Sequence, residues 1–172
     1  AATTLYGAMK FIAGESFIIN SEGSDTKLST IIYGNVTNST GSIIPLIWDA
    51  INNDYELTLY SETMTRFMIS VEKAIDAIEI GLSTTGYNII PKLKAFLVKD
   101  LFEIYKESFG LKYKIGNPRI SEKIHETMIT KEELPRTFYD EKNNAYRMHY
   151  KNIQKNHLVT EYKSSDVVID KA

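Results

Sequence analysis

A chain of 172 residues, with 43% hydrophobic and 24% charged side chains, is long enough and apolar enough for a domain with its own core. A formal net charge of -2 leaves no field to draw in nucleic acid or an acidic membrane, so neither is expected as a partner. With no cysteine, disulfides, thiolate metal sites and a cysteine nucleophile are excluded together.

The chain opens on Ala1-Ala2-Thr3-Thr4, with no Met and no preceding strand, and reads as a segment of a longer protein. No basic stretch precedes an apolar run in the first residues, and no apolar run nears the ~20 residues that span a bilayer, so a cytosolic protein is expected. Residues 5–20 have helical periodicity through Leu5, Met9, Ile12, Phe17 and Ile18, with Thr4 at the N-cap position. Leu28 to Tyr33 reads as a buried strand, rich in β-branched and aromatic residues. A polar loop follows, and then a helix from Ile43 to Asn52 with Pro45 in its first turn, where proline is tolerated.

Glu56 to Tyr60 is a short strand candidate. An amphipathic helix runs from Ser70 to Leu82 on Val71, Ala74, Ile75, Ile78 and Leu82. Tyr87 to Ile90 is strand-like and ends at Pro91. A further helix spans Leu97 to Phe109 and stops at Gly110, and Leu111 to Ile115 is another strand candidate. Ser121 to Thr127 reads as a helical turn, and Lys131-Glu132-Glu133 opens a charged segment. From 143 to 172 the pattern weakens into an extended or partly disordered tail. Strands alternating with helices give an α/β chain.

The residues with chemistry begin at Tyr6-Gly7-Ala8-Met9-Lys10. Positions i and i+4 of a helix share a face, and a lysine ammonium one turn from a phenol favours the phenolate that a proton acceptor needs. A lone Tyr-x-x-x-Lys match is more often a surface helix pair. His125, His149 and His157 do not have metal-ligand spacing, so no metal is expected.

Four blocks in order sharpen the reading: Leu5 to Lys10; Tyr33-Gly34-Asn35-Val36 with Gly41-Ser42-Ile43-Ile44-Pro45; Met64-Thr65-Arg66-Phe67-Met68-Ile69; and Arg119-Ile120-Ser121-Glu122-Lys123-Ile124-His125-Glu126. Together they resemble the UDP-N-acetylglucosamine 4,6-dehydratases of the extended short-chain dehydrogenase/reductase family, over roughly residues 3–130. The resemblance implies the C-terminal half of a Rossmann-like fold with a small substrate-binding subdomain. Residues 1–60 would close the Rossmann-like domain, 61–142 would hold substrate, and 143–172 would be the tail.

The resemblance also implies a site. Tyr6 would be the base that takes the C4 hydroxyl proton of the sugar, tuned by Lys10, while hydride leaves C4. Water would then be lost across C5 and C6. Tyr6, Lys10 and Tyr33 would meet NADP or NAD. Asn35, Ser42, Thr65, Arg66, Arg119 and Glu122 would bind the nucleotide sugar, the arginines because a guanidinium donates paired hydrogen bonds to phosphate. Glu122 and His125 are expected to brace the Arg119 loop. Relatives carry Arg where this chain has Ile32 and Thr40, and Pro-Gly where it has Ile120-Ser121, which bears on the substrate more than the fold. The glycine-rich cofactor loop and the Asp-Lys pair that eliminates water lie before Tyr6 in the family, so a missing N-terminal half is expected; the resemblance also implies a homo-oligomer. A nucleotide-sugar epimerase on the same scaffold and a non-catalytic binding module are the alternatives.

Overall fold

The computed structural model describes residues 5–118, 120 and 122–169. In chain order the first elements are α1 (Leu5–Ile19), β1 (Thr30–Ile31), β2 (Asn35–Val36), α2 (Ile43–Asn52), β3 (Leu57–Leu59) and β4 (Thr65–Ile69). Next come α3 (Val71–Leu82), β5 (Tyr87–Pro91), β6 (Lys94–Leu97), α4 (Val98–Phe109) and β7 (Tyr113–Ile115). These are followed by β8 (Thr127–Ile129), a 3-10 turn (Lys131–Arg136), β9 (Thr137–Asp140), β10 (Ala145–His149), β11 (Tyr162–Lys163) and a second 3-10 turn (Ser164–Asp166).

The chain divides into two compact units. One comprises the segment up to Tyr33, Val71–Lys92 and Thr127–Lys163; the other comprises Gly34–Ser70, Leu93–Glu126 and the segment from Ser164 onward. The boundaries read from the sequence, after residues 60 and 142, are linear, whereas the units interleave. They interleave because strands distant in sequence pair: β1 with β5 and β3 with β7, both parallel, each across a stretch that belongs to the other unit. Parallel pairs require crossover connections rather than hairpins, so contiguous stretches of chain do not map onto contiguous units.

In the first unit the sheet runs β1-β5-β10-β9, parallel at β1/β5 and antiparallel beyond. α3 turns its small residues, Ala74, Ala77 and Gly81, inward. A Cβ at Gly81 would lie 2.6 Å from Ile31 Cδ1, so the glycine permits the close approach of helix to strand. Ser29 Oγ fixes that approach by donating to the Gly81 carbonyl at 2.9 Å. Ile89, Ile90, Ala145 and Met148 form the fully buried sheet interior.

In the second unit β2-β4-β6 form one sheet and β3-β7 a separate pair. Ile47 and Ala50 of α2, Val98 and Phe102 of α4, and Leu59, Met64 and Leu111 form one buried cluster. The apolar stripes expected of α2 and α4 therefore meet each other and the strands beside them. α4 stops where Gly110 takes a left-handed φ of 75°, a conformation that suits glycine.

Three expectations need correction. The strand expected from Leu28 to Tyr33 is confined to Thr30–Ile31, because the Leu28 amide goes to Thr85 Oγ1 instead of a ladder partner. The helical turn expected from Ser121 is absent over the described residues 122–126. There the Ile124 carbonyl accepts the Thr65 amide and the Glu126 amide goes to Ser164, so the backbone groups a helix would use are spent elsewhere. The tail expected from 143 contains β10, an internal strand of the first sheet. Its polar Tyr-Arg centre hides the fact that Ala145 and Met148 are buried. Thr4, the expected helix cap, lies outside the described residues.

Candidate functional site

α1 carries Tyr6 and Lys10. Its sequence is apolar on nearly every face, yet only Ile18 is buried. Tyr6 is 71% exposed, so its phenol is open to a ligand. The i, i+4 spacing places Lys10 Nζ 5.6 Å from the centroid of the Tyr6 ring, within the range at which an ammonium is attracted to a π-face. A phenol and an ammonium are thus held side by side on one face of α1. Tyr33 follows β1 at the end of its segment and is 40% exposed. These three belong to the first unit.

A second cluster lies entirely within the other unit and centres on β4. Arg66 Nη2 meets Glu122 Oε1 at 2.7 Å, and Nη1 donates to the carbonyls of Thr65 at 2.9 Å and Ile124 at 3.2 Å. Three of the five guanidinium donors are thereby aimed, and the side chain is only 16% exposed. Glu126 supplies a second carboxylate, 4.0 Å from Arg66 Nε. It accepts the Phe67 amide at 2.8 Å and lies within 3.4 Å of Asn35 Nδ2, which also donates to the Phe67 carbonyl.

Thr65, the preceding residue of β4, is 3% exposed and lies against His125 Nδ1 at 2.8 Å and Ser164 Oγ at 2.6 Å. The strand's alternation sends Thr65, Phe67 and Ile69 inward and leaves Arg66 at the edge of the interior. Asn35, Thr65, Arg66 and Glu122 lie together in this cluster, with two carboxylates, Glu122 and Glu126, beside one guanidinium. Ser42 caps the start of α2, and its buried Oγ has no hydrogen-bond partner among the described residues. Arg119 lies outside the described residues.

Two contributors were not singled out in the sequence. Glu126 stood inside the quoted block, and its role required knowing that the Phe67 amide and Asn35 turn towards it. Ser164 had no sequence signal: a serine in a polar tail announces nothing until β6 and β4 bring it to Thr65. Among the described residues no group of three His, Asp or Glu side chains could hold a metal ion, and no helix is long and apolar enough to cross a membrane.

Residues 1–148 match the model of the polysaccharide biosynthesis protein family. An uncharacterized membrane protein of Methanocaldococcus jannaschii is 34% identical over 120 residues, covering 63% of this chain and 36% of the relative. A UDP-N-acetylglucosamine 4,6-dehydratase (inverting) of Campylobacter jejuni is 33% identical over 143 residues, covering 78% of this chain and 41% of the relative. A UDP-glucose 4-epimerase of Rickettsia felis is 31% identical over 128 residues, covering 72% and 37% respectively. The chain therefore spans about two fifths of the length of these curated relatives. The X-ray structure of Pen from Bacillus thuringiensis superposes with a TM-score of 0.81 at 24% identity, over 96% of this chain and 54% of that one. MoeE5 in complex with UDP-glucose and NAD superposes with a TM-score of 0.59 at 16% identity, over 71% and 45%. The α/β architecture is thus shared with these solved structures, and the chain belongs to the polysaccharide biosynthesis protein family.

Proposed function

We propose that this chain is the part of a nucleotide-sugar 4,6-dehydratase that binds UDP-N-acetylglucosamine and moves the proton of its C4 hydroxyl. The observation that carries the reading is the Tyr6–Lys10 pair, exposed on one face of α1 with the ammonium 5.6 Å from the ring. The kinship with the Campylobacter dehydratase supports it. An exposed phenol and ammonium one turn apart fit the ribose hydroxyls of NADP or NAD, and Tyr33 is a third candidate contact. The dinucleotide supplies the hydride acceptor and donor of this chemistry.

Tyr6 Oη, reacting as the phenolate with the Lys10 ammonium offsetting its charge, takes the C4 hydroxyl proton as the ketone forms and is left as the neutral phenol. Asn35, Ser42, Thr65, Arg66, Arg119 and Glu122 hold the nucleotide sugar, with Arg66 donating hydrogen bonds to the diphosphate. The acid/base pair for water loss would come from residues before Tyr6 in the complete enzyme. The product would be a 4-keto-6-deoxy sugar nucleotide for surface glycan synthesis, made in the cytosol by a homo-oligomer.

A second reading, a 4-epimerase on the same scaffold, is favoured by the Rickettsia relative. Mass spectrometry of UDP-N-acetylglucosamine incubated with the complete enzyme separates the two. Dehydration removes one water from the sugar nucleotide, whereas epimerisation leaves its mass unchanged and its chromatographic position altered. Recovery of the substrate unaltered in both respects would overturn both.

A further inference from the structure

Ser164 stands 16 residues beyond the stretch that matches the family, yet all of its side-chain hydrogen bonds go to the Arg66 cluster. Its Oγ accepts the Glu126 amide at 2.9 Å, lies 2.6 Å from Thr65 Oγ1 and donates to the Thr65 carbonyl at 3.3 Å. Arg66 Nη1 donates to that same carbonyl. The Ser164 amide donates in turn to the Glu126 carbonyl at 2.9 Å. The segment after Ser164 is stapled to β6: the Ala95 amide donates to Val167 and the Ile169 amide to Ala95. Ser164 is 0% exposed and Thr65 3%, so their hydroxyls have no water to turn to and must satisfy each other.

One proton arrangement makes every contact. His125 Nδ1–H donates to Thr65 Oγ1, the Thr65 hydroxyl donates to Ser164 Oγ, and the Ser164 hydroxyl donates to the Thr65 carbonyl. The chain of donors fixes three things at once: the His125 tautomer, the carbonyl on which Arg66 rests, and the backbone from which Glu126 projects. Hydrogen-bonded chains of this kind orient groups that no single bond would hold. A residue carried by the C-terminal segment thereby decides how Arg66 and its carboxylates are presented.

We propose that Ser164 is a positioning residue of the nucleotide-sugar site, which sets the geometry of Arg66, Glu126 and His125 through Thr65 without touching the substrate itself. The proposal rests on the reading of the Arg66 cluster as the grip on the UDP portion. Removing the Ser164 hydroxyl leaves the buried Thr65 hydroxyl without its acceptor. The nearest remaining acceptor is His125 Nδ1, which must then give up its proton to Nε2.

The test uses the complete enzyme with UDP as the probe, in Ser164→Ala, Thr65→Val and Arg66→Ala variants. Ser164→Ala should weaken UDP binding about tenfold, the loss of one charge-assisted contact, and raise KM similarly while kcat changes less than about twofold. Thr65→Val should do the same, and adding Ser164→Ala to it should cost nothing more, since the chain is already broken. In Ser164→Ala the ring nitrogen signals of His125 should move from the Nδ1–H to the Nε2–H tautomer, with those of His157 unchanged. A purely packing role for Ser164 would leave that tautomer as it was. If Arg66→Ala weakens UDP binding but neither Ser164→Ala nor Thr65→Val does, the positioning role is overturned and the nucleotide reading stands. If Arg66→Ala has no effect, the nucleotide reading of this cluster falls and the positioning role falls with it. Should Ser164→Ala fail to fold, Ser164→Cys, which keeps the side chain's shape but is a much weaker donor and acceptor, decides on UDP affinity and the His125 signal by the same outcomes.

Discussion

At the scale of single residues, the proposed chemistry depends on one oxygen. Tyr6 is 71% exposed, so its ring contributes little packing and Tyr6→Phe should leave the fold unchanged. Loss of the proton acceptor should lower turnover of the complete enzyme by about 10²–10⁴-fold. A steady-state assay on the purified variant checks this, and undiminished turnover would remove Tyr6 from the mechanism. His149, at the end of β10, gives a pH dependence instead. Its Nδ1 accepts the amides of Asn152 at 2.9 Å and Lys151 at 3.1 Å, so protonation there breaks both. Burial first, and then the charges of Lys151 and Arg136, hold its pKa below the ordinary 6.5, with Glu22 acting in opposition. The unfolded chain therefore binds this proton at higher pH than the folded one. Stability present above about pH 6.5 is lost as pH falls through that value towards the folded pKa. Melting temperature should drop between about pH 7.5 and pH 5.5, and His149→Phe, which keeps a ring against Tyr87 and Tyr150, should flatten that drop. An equally steep drop in the variant would assign the effect to other groups.

At the scale of elements, glycine positions show where helix and strand spacing is tight. A Cβ at Gly34 would lie 2.5 Å from Phe67 Cβ and 2.8 Å from its carbonyl oxygen, and backbone cannot step aside as a side-chain tip can. Gly34→Ala should therefore force β2 away from β4 and cost about 1–3 kcal/mol or more. Gly110→Ala, with no atom within 4 Å but a φ of +75°, should cost only about 1 kcal/mol. Urea unfolding of both variants ranks them, and a smaller loss at Gly34 would contradict the packing account. Helices were the legible elements: α2 matches its expected span from Ile43 to Asn52, and α3 and α4 begin within one residue of expectation. Their apolar stripes repeat over three turns, and Gly110 marks a stop. β4 and β6 were hidden, because a five-residue strand such as Thr65–Ile69 carries little periodicity. Its Arg66 looked like a ligand-binding group rather than part of a ladder. The Tyr6–Lys10 pair was legible because helical spacing alone places it. The second carboxylate near Arg66, Glu126, and the Ser164 hydroxyl on Thr65 were not, since tertiary contacts alone bring them there.

At the scale of the whole chain, the Tyr6–Lys10 pair belongs to the first unit and the Arg66 cluster to the second, and the residues present bear on cofactor binding. Dinucleotide recognition in a Rossmann-type fold rests on a strand, a glycine-rich turn and a helix N-terminus that cradles the pyrophosphate. No such loop occurs in these 172 residues. Of the candidates, Gly34 is consumed by its contact with Phe67, and Gly41 takes a left-handed turn that leads only to the cap of α2. Tyr6 and Lys10 alone would reach the nicotinamide ribose, too small a part of the cofactor to hold it. α1 meanwhile exposes Leu5 at 79%, Met9 at 62%, Ile12 at 61% and Phe17 at 52%, a run of uncovered apolar side chains along one helix. The 172-residue chain by itself should therefore self-associate or bind a hydrophobic dye, and should not bind NADPH with a Kd as tight as about micromolar. Fluorescence titration of NADPH into the purified chain measures this directly. Saturable binding at about micromolar concentration would mean that the cofactor contacts lie within residues 1–172 after all, and the assignment of Tyr6, Lys10 and Tyr33 as only the ribose end of that site would have to be abandoned.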